Sequence, residues 1–249
     1  MVRLSGASVI QNLKLTHSPR ACVLDLDGTL VDTLGDFEMA LAAMLRQLGR
    51  APLPRAAIAC MVGKGSEHLV EAALQATQPA QAGDADPALF DRAWQLYQDA
   101  YGPINGRHSH VYPGVVDGLR ALRARGLPLA VLTNKPRAHA LVLLAAKRLD
   151  GYFSQVFGGD SFARKKPDPL PLLQTCRALG TPPAATLMIG DSSNDAAAAR
   201  AAGCPVALLS YGYNHGQPVD EVDADGCFDS LPELAAALAR ANLIESGPA

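Results

Sequence analysis

The sequence predicts an α/β protein: three layers around a parallel sheet, with a helical cap inserted after the first strand. Three observations carry this reading. Continuous apolar runs at 22–24 (CVL), 127–133 (LPLAVLT), 186–191 (TLMIGD) and 204–210 (CPVALLS) have the form of strands covered on both faces. Helical patterns that end in glycine lie between the runs from about residue 111 onward. The stretch between the first run and that point has helical spacing and no convincing strand.

Residues 1–19 lack an uninterrupted apolar segment and a clear cleavage site, so they read as a loose extension rather than a targeting signal. Residues 20–34 open the core with its first strand. Residues 35–110 form the cap, with helices expected at 36–49, 66–77 and 87–101, punctuated by Pro52, Pro54, Pro79, Gly83 and Pro87. The core resumes over 111–249. Helices at 114–126, 169–180 and 194–203 stop at Gly126, Gly180 and Gly203. Alternating strand and helix are βαβ units, so 20–34 and 111–249 together make a Rossmann-like parallel-sheet core. The rival arrangement is one continuous α/β domain with an elaborate first crossover.

The chain has 249 residues, 49% hydrophobic and 18% charged, enough for a large core. With 22 basic and 24 acidic residues its net charge is −2, and no basic stripe suggests a nucleic-acid partner. No apolar stretch is long enough to cross a membrane. The five cysteines, Cys22, Cys60, Cys176, Cys204 and Cys227, are scattered and form no CxxC pair. They read as reduced thiols of a cytoplasmic protein.

In open parallel sheets, ligands bind beyond the carboxyl ends of the strands. Asp25, Asp27, Gly28 and Thr29 follow the first strand. Thr133 and Asn134 follow the second run, and Asp191, Ser192, Asn194 and Asp195 follow the third. Lys165 and Lys166 precede the Pro-rich start of a helix. An Asp-Gly pair alone would be a turn, but these ends converge and bring four carboxylates together. Such a cluster repels itself unless a cation intervenes, and hard Mg2+ with oxygen ligands fits. With Lys166 and loop N–H groups, the same cluster would hold a phosphoryl group. Asp25 is then placed to attack phosphorus and form an aspartyl-phosphate. Asp27 can protonate the leaving oxygen and later deprotonate the hydrolytic water. A free Asp titrates near about 3.9, so that task asks for a raised value.

The segments "DLDGTLVDT", "TNK", "KKPDP" and "GDSSND", in this order, resemble the four motifs of the haloacid dehalogenase superfamily of phosphotransferases. The resemblance covers nearly the whole chain after residue 20. It implies Asp25 as nucleophile, Asp27 as acid/base, and Thr133 as donor to the phosphoryl group, with Asn134 beside it. The lysine preceding proline, Lys166 rather than Lys165, is the implied phosphate-neutralising residue. Mg2+ would sit on Asp25, the backbone carbonyl of Asp27 and Asp191, with Asp195 either a direct ligand or an acid behind the ligands. The insert would be a mobile lid.

Within the superfamily, 111–119 (VYPGVVDGL), 190–220 and 61–74 (MVGKGSEHLVEAAL) resemble the bacterial phosphoglycolate phosphatases. That implies 2-phosphoglycolate, a small phosphorylated metabolite, as substrate of a monomer or homodimer. Phosphatases of sugar phosphates or of N-acetylmuramate 6-phosphate, a phosphomutase, and a catalytically silent binding module of the same fold are the alternatives. A dehalogenase needs neither the metal-binding carboxylates nor the Asp27 acid. Lys64 stands in the VGxG loop where a small polar residue, often Asn, is expected. It would either bind a substrate carboxylate or be a solvated charge.

Other residues have plainer readings. His108 and His110 lie in a loop without a metal-ligating neighbour and suit a surface or hinge position. Trp94 packs the cap. Tyr211, Tyr213 and Asn214 brace the loop after the last run or support the site. Cys22 is a small apolar core side chain.

Overall fold

Strand β1, Ala21–Leu24, is buried along its whole length and lies in the middle of a six-stranded sheet. In the computed structural model, which describes residues 13–78 and 87–245, the remaining strands of that sheet are β4 (Leu129–Leu132), β5 (Gln155–Phe157), β6 (Thr186–Gly190), β7 (Val206–Leu209) and β8 (Gly226–Phe228). Residues 1–12 of the expected extension, and Pro79 and Gly83, lie outside the described residues. The order is β5-β4-β1-β6-β7-β8 and every pair is parallel. The short ribbon β2 (Val31–Asp32) and β3 (His110–Val111) is antiparallel, and it joins the point where the chain leaves the core to the point where it returns.

Successive side chains of a strand point to opposite faces, so a continuous apolar run requires cover on both. Cys22, Leu24, Leu129, Val131, Leu187 and Ile189 pack on one side against Leu119 and Leu122 of α5 (Val115–Ala124) and Leu234 and Leu238 of α9 (Leu231–Glu245). Val23, Ala130, Leu132, Met188 and Val206 pack on the other side against Leu172 and Cys176 of α7 (Leu170–Leu179) and Ala196 and Ala199 of α8 (Ser193–Ala202). Helix α6 (Arg137–Ala146) follows β4 and adds Ala140, Leu143 and Leu144 to the first side. α7 and α8 end at Gly180 and Gly203, whose left-handed φ of 67° and 74° closes the last turn without a Cβ penalty.

Between β2 and β3 run helices α1 (Leu34–Gln47), α2 (Arg55–Met61), α3 (Ser66–Ala76) and α4 (Pro87–Ile104). They share a hydrophobic cluster of their own, with Phe37, Leu41, Met44, Ile58, Leu69, Tyr97 and Tyr101 buried. Trp94 stacks on Tyr97 at 6.1 Å and Tyr97 on Tyr101 at 5.5 Å, so its packing role is the one it plays. The two ends of the helical unit are clasped by buried Asp36, whose carboxylate accepts the backbone N–H of Gly106 (2.8 Å) and of His108 (2.7 Å). His108 and His110 thus sit at the return crossing.

Candidate active site

The strand order reverses about β1, so the carboxyl ends of β1, β4 and β6 border one crevice. Asp25 and Asp27 leave β1 into it, Thr133, Asn134 and Lys135 leave β4, and Asp191 leaves β6; all are buried. Each is tied down. Thr29 Oγ1 donates to Asp191 Oδ1 (2.7 Å) and the Tyr213 N–H to Asp191 Oδ2 (2.8 Å). A Cβ on Gly28 or Gly212 would collide with that same carboxylate, so two glycines let the loops close around it. Asp195 sits in the first turn of α8. Its Oδ2 accepts from Ser192 Oγ (2.8 Å) and from the backbone N–H of Ser192 and Asp191 (both 3.2 Å), while its Oδ1 accepts from Lys166 Nζ (2.7 Å).

Lys166 is 4% exposed. Besides Asp195, its ammonium donates to the Leu132 carbonyl (2.9 Å) and forms an ion pair with Asp25 Oδ1 at 2.9 Å. Lys165, its neighbour, points away to Glu67 on α3. Asn134 fastens three parts together: Oδ1 accepts the Lys166 N–H (2.9 Å), and Nδ2 donates to the carbonyls of Lys166 (2.9 Å) and Gly63 (3.0 Å). Asn194 Nδ2 donates to the same Gly63 carbonyl (3.1 Å), so the 61–65 loop is held over the crevice by its backbone.

Electrostatics explains what the crevice would attract. Burial pushes the Asp25 carboxyl up to about 7; Lys166 opposes the rise, and Asp195 and Asp27 add to it. Burial, with Asp195 and Asp25 nearby, holds Asp191 well above the ordinary carboxylate range, against the pull of Thr29 and the Tyr213 N–H. Burial disfavours charge on Lys166 too, but Asp195 and Asp25 outweigh it and raise the lysine. Asp25, Asp27, Asp191 and Asp195 face Lys135 and Lys166. When all are ionised, two negative charges remain uncompensated. Asp25, Asp191 and Asp195 each present an oxygen within 4.8 Å of the others. A buried all-oxygen group with this excess of negative charge fits a hard divalent cation. Asp195 has already spent both oxygens on protein donors, which makes it the group that fixes Lys166 and the Asp191 backbone.

Residues 19–203 match the family model of the haloacid dehalogenase-like hydrolases. The chain belongs to that family. It is 44% identical over 222 residues to a phosphoglycolate phosphatase of Thiobacillus denitrificans, covering 89% of this chain and 96% of that one. It is 46% identical over 214 residues to a phosphoglycolate phosphatase of Nitrosospira multiformis, with 86% and 93% covered. The crystal structure of a predicted phosphoglycolate phosphatase from Haemophilus somnus superposes with a TM-score of 0.84 at 32% identity, covering 89% of this chain and 98% of that one. This haloacid dehalogenase-like hydrolase is accordingly a phosphatase.

The structure brings Asp25, Asp27, Thr133, Asn134, Lys166, Asp191 and Asp195 into the one crevice. It does not bring Lys64 there: the side chain is exposed and absent from the residues that line the pocket, which Gly63 and Gly65 flank instead. Sequence reasoning passed over Lys135, whose Nζ donates to both oxygens of Asp27 (2.9 and 3.1 Å) under the rings of Phe37 and Tyr101. It left the role of 211–214 open. Tyr211 Oη donates to the Thr29 carbonyl (2.8 Å), Asn214 Oδ1 accepts the Ser193 N–H (2.9 Å), and Tyr213 Oη accepts the N–H groups of Thr33 and Leu34 at the start of α1. The segment binds the site and the outgoing crossing together.

Proposed function

We propose that the chain hydrolyses 2-phosphoglycolate to glycolate and phosphate, with Mg2+ as its metal, in the cytoplasm. The observation that carries this is the pairing of Asp25 and Lys166 at 2.9 Å, beside a pocket on the Asp27 side that can take the leaving group. That pocket, about 20 Å3, is lined by Asp25, Asp27, Phe37, Ser66, Thr133 and Lys135 among others. It exceeds only slightly the ~10–15 Å3 that one water needs, so any phosphate ester enters as the helical unit moves away from the core. The names of the relatives at 44% and 46% identity support the same substrate.

In this reading Asp25 attacks phosphorus, the bond to the ester oxygen breaks, and Asp27 passes its proton to that oxygen as glycolate leaves. Asp27 then takes a proton from the water that cleaves the aspartyl-phosphate. Thr133 and the loop N–H groups donate to the phosphoryl oxygens and Lys166 neutralises them. Mg2+ held by Asp25, Asp191 and the Asp27 carbonyl would supply further neutralisation of the phosphoryl charge. Helices α1–α4, residues 35–110, act as a cap that opens to admit substrate and closes to exclude water. Within the whole chain no described helix is long and apolar enough to cross a membrane, and all five cysteines are free, which suits the compartment proposed. Metal-dependent phosphate release from a panel of metabolite phosphates tests the proposal. The highest kcat/KM is expected for 2-phosphoglycolate; a larger value for a sugar phosphate would overturn it, and no turnover of any ester would leave a binding module.

Metal binding should be linked to pH. Asp25 and Asp191 have raised values in the metal-free fold, so the protons they hold favour folding at low pH. That contribution is complete below the ordinary value of 3.8 and, for Asp25, is lost as pH rises through about 7. A cation displaces those protons. Mg2+ is therefore expected to raise the thermal midpoint more at pH 8 than at pH 5.5. An equal rise at both pH values would mean that the metal sits elsewhere.

A further inference from the structure

We infer that Lys135 is the residue that selects the substrate, by binding an anionic group on the leaving alcohol, and that the phosphatase therefore prefers phosphomonoesters with a carboxylate one carbon from the ester oxygen. The inference rests on the reaction proposed above and adds to it the origin of its specificity.

The position of the ammonium carries the argument. Lys166 stands on the Asp25 and Asp195 side, where the phosphoryl group would lie. Lys135 stands on the other side, 2.9 Å from Asp27, the acid that must reach the ester oxygen. An ammonium one hydrogen bond beyond an acid that is itself one hydrogen bond from that oxygen lies about 4–6 Å from it. A carboxylate on the adjacent carbon falls within that span. A neutral alkyl group there would leave the ammonium with Asp27 alone.

The surroundings are built for a cation with a changeable partner. The Lys135 side chain is 1% exposed, so its charge is not solvated. Nζ lies 4.6 Å from the centroid of Phe37 and 5.1 Å from that of Tyr101, both from the helical unit. Ring faces attract an ammonium but compete weakly with a carboxylate for its N–H groups; of the three that Lys135 has, the hydrogen bonds go to Asp27. Ser66 lines the same pocket as Lys135 and Asp27 and adds a hydroxyl beside them. Lys64, by contrast, is exposed to water and lines no part of the pocket.

The test compares esters matched in size. Turnover of 2-phosphoglycolate and ethyl phosphate, and of 2-phospholactate and isopropyl phosphate, is measured with Mg2+ for the parent, Lys135→Met, Lys135→Arg and Lys64→Ala. The parent is expected to favour the carboxylated member of each pair. Lys135→Met should cut that preference about ten- to a hundredfold, the range of one buried charge-assisted hydrogen bond, mainly through KM. Because Lys135 also bonds Asp27, the neutral esters lose some activity as well, so the ratio is the readout. Lys135→Arg, which keeps the charge, should retain more of the preference than Lys135→Met. A parent without preference overturns the inference before any variant is made. So does an equal loss on both members of a pair, which would make Lys135 a positioning group for Asp27 only, or a ratio that collapses with Lys64→Ala instead. A parent that favours 2-phospholactate, with the preference erased by Lys135→Met, overturns the proposed substrate and upholds the role of Lys135.

Discussion

Asp25→Asn is expected to lose essentially all turnover, by about 10^4-fold or more, the scale on which removal of a covalent nucleophile acts. The substitution keeps size and shape, so the fold should survive. It should in fact be easier to hold without metal. Burial raises the Asp25 carboxyl to about 7, which means that at pH 8 the parent carries this charge against the cost of desolvation. A neutral amide avoids that cost, so the metal-free variant should melt no lower than the metal-free parent at pH 8. Mg2+ affinity should fall, because one of three clustered carboxylates has lost its charge. A beryllium fluoride adduct should form on Asp25 of the parent and not on the variant. Near-normal activity of Asp25→Asn would end the covalent mechanism. A folded, inactive variant that still forms the adduct would move the nucleophile to another carboxylate.

The core was legible because a parallel strand covered on both faces cannot hide its composition. β1, β4, β6 and β7 are all continuous apolar runs, and the carboxyl ends of β1, β4 and β6 carry the polar residues that the crevice collects. The edge strands were not legible. β5 and β8 have three residues each and border the sheet, where a run of apolar side chains is not required. α2 has seven residues and buries only Ile58, too little for a periodic signal. Asp25, Asp27 and Asp191 follow from position, since strand ends place them together; Lys166, rather than its neighbour Lys165, was singled out by the family resemblance. Lys135 does not follow from position. A lysine in a loop after a strand is ordinarily solvated, and only the arrival of Phe37 and Tyr101 from helices distant in sequence buries it. Lys64 could be read either way from sequence: its glycine-rich loop does approach the site, through the Gly63 carbonyl, and its side chain is exposed, as the solvated-charge reading expects.

Lys166 and Lys165 are adjacent in sequence and opposite in environment, and their variants should differ accordingly. Lys166 is enclosed with Asp195 at 2.7 Å and Asp25 at 2.9 Å. Removing one partner of a buried ionic group costs about 3–5 kcal/mol, because the carboxylates left behind are neither solvated nor paired. Lys166→Ala should therefore lower stability on that scale, and Mg2+ should recover part of the loss. The lost contact to the phosphoryl group, about 1.5–3 kcal/mol for a charge-assisted hydrogen bond, should lower kcat/KM by at least roughly tenfold. Lys165 is paired with Glu67 at 2.6 Å, but the two side chains are 35% and 48% exposed. Such a pair is worth about 0–1 kcal/mol, so Lys165→Ala should change kcat/KM less than about threefold. The double variant Lys166→Met with Asp195→Asn separates the two roles of Lys166. Removing the orphaned charge should return much of the stability while activity stays low, since no cation faces the phosphoryl group. Recovery of activity together with stability would show that Lys166 acts on the fold alone, and a larger kinetic loss for Lys165→Ala would transfer the phosphate contact to its neighbour.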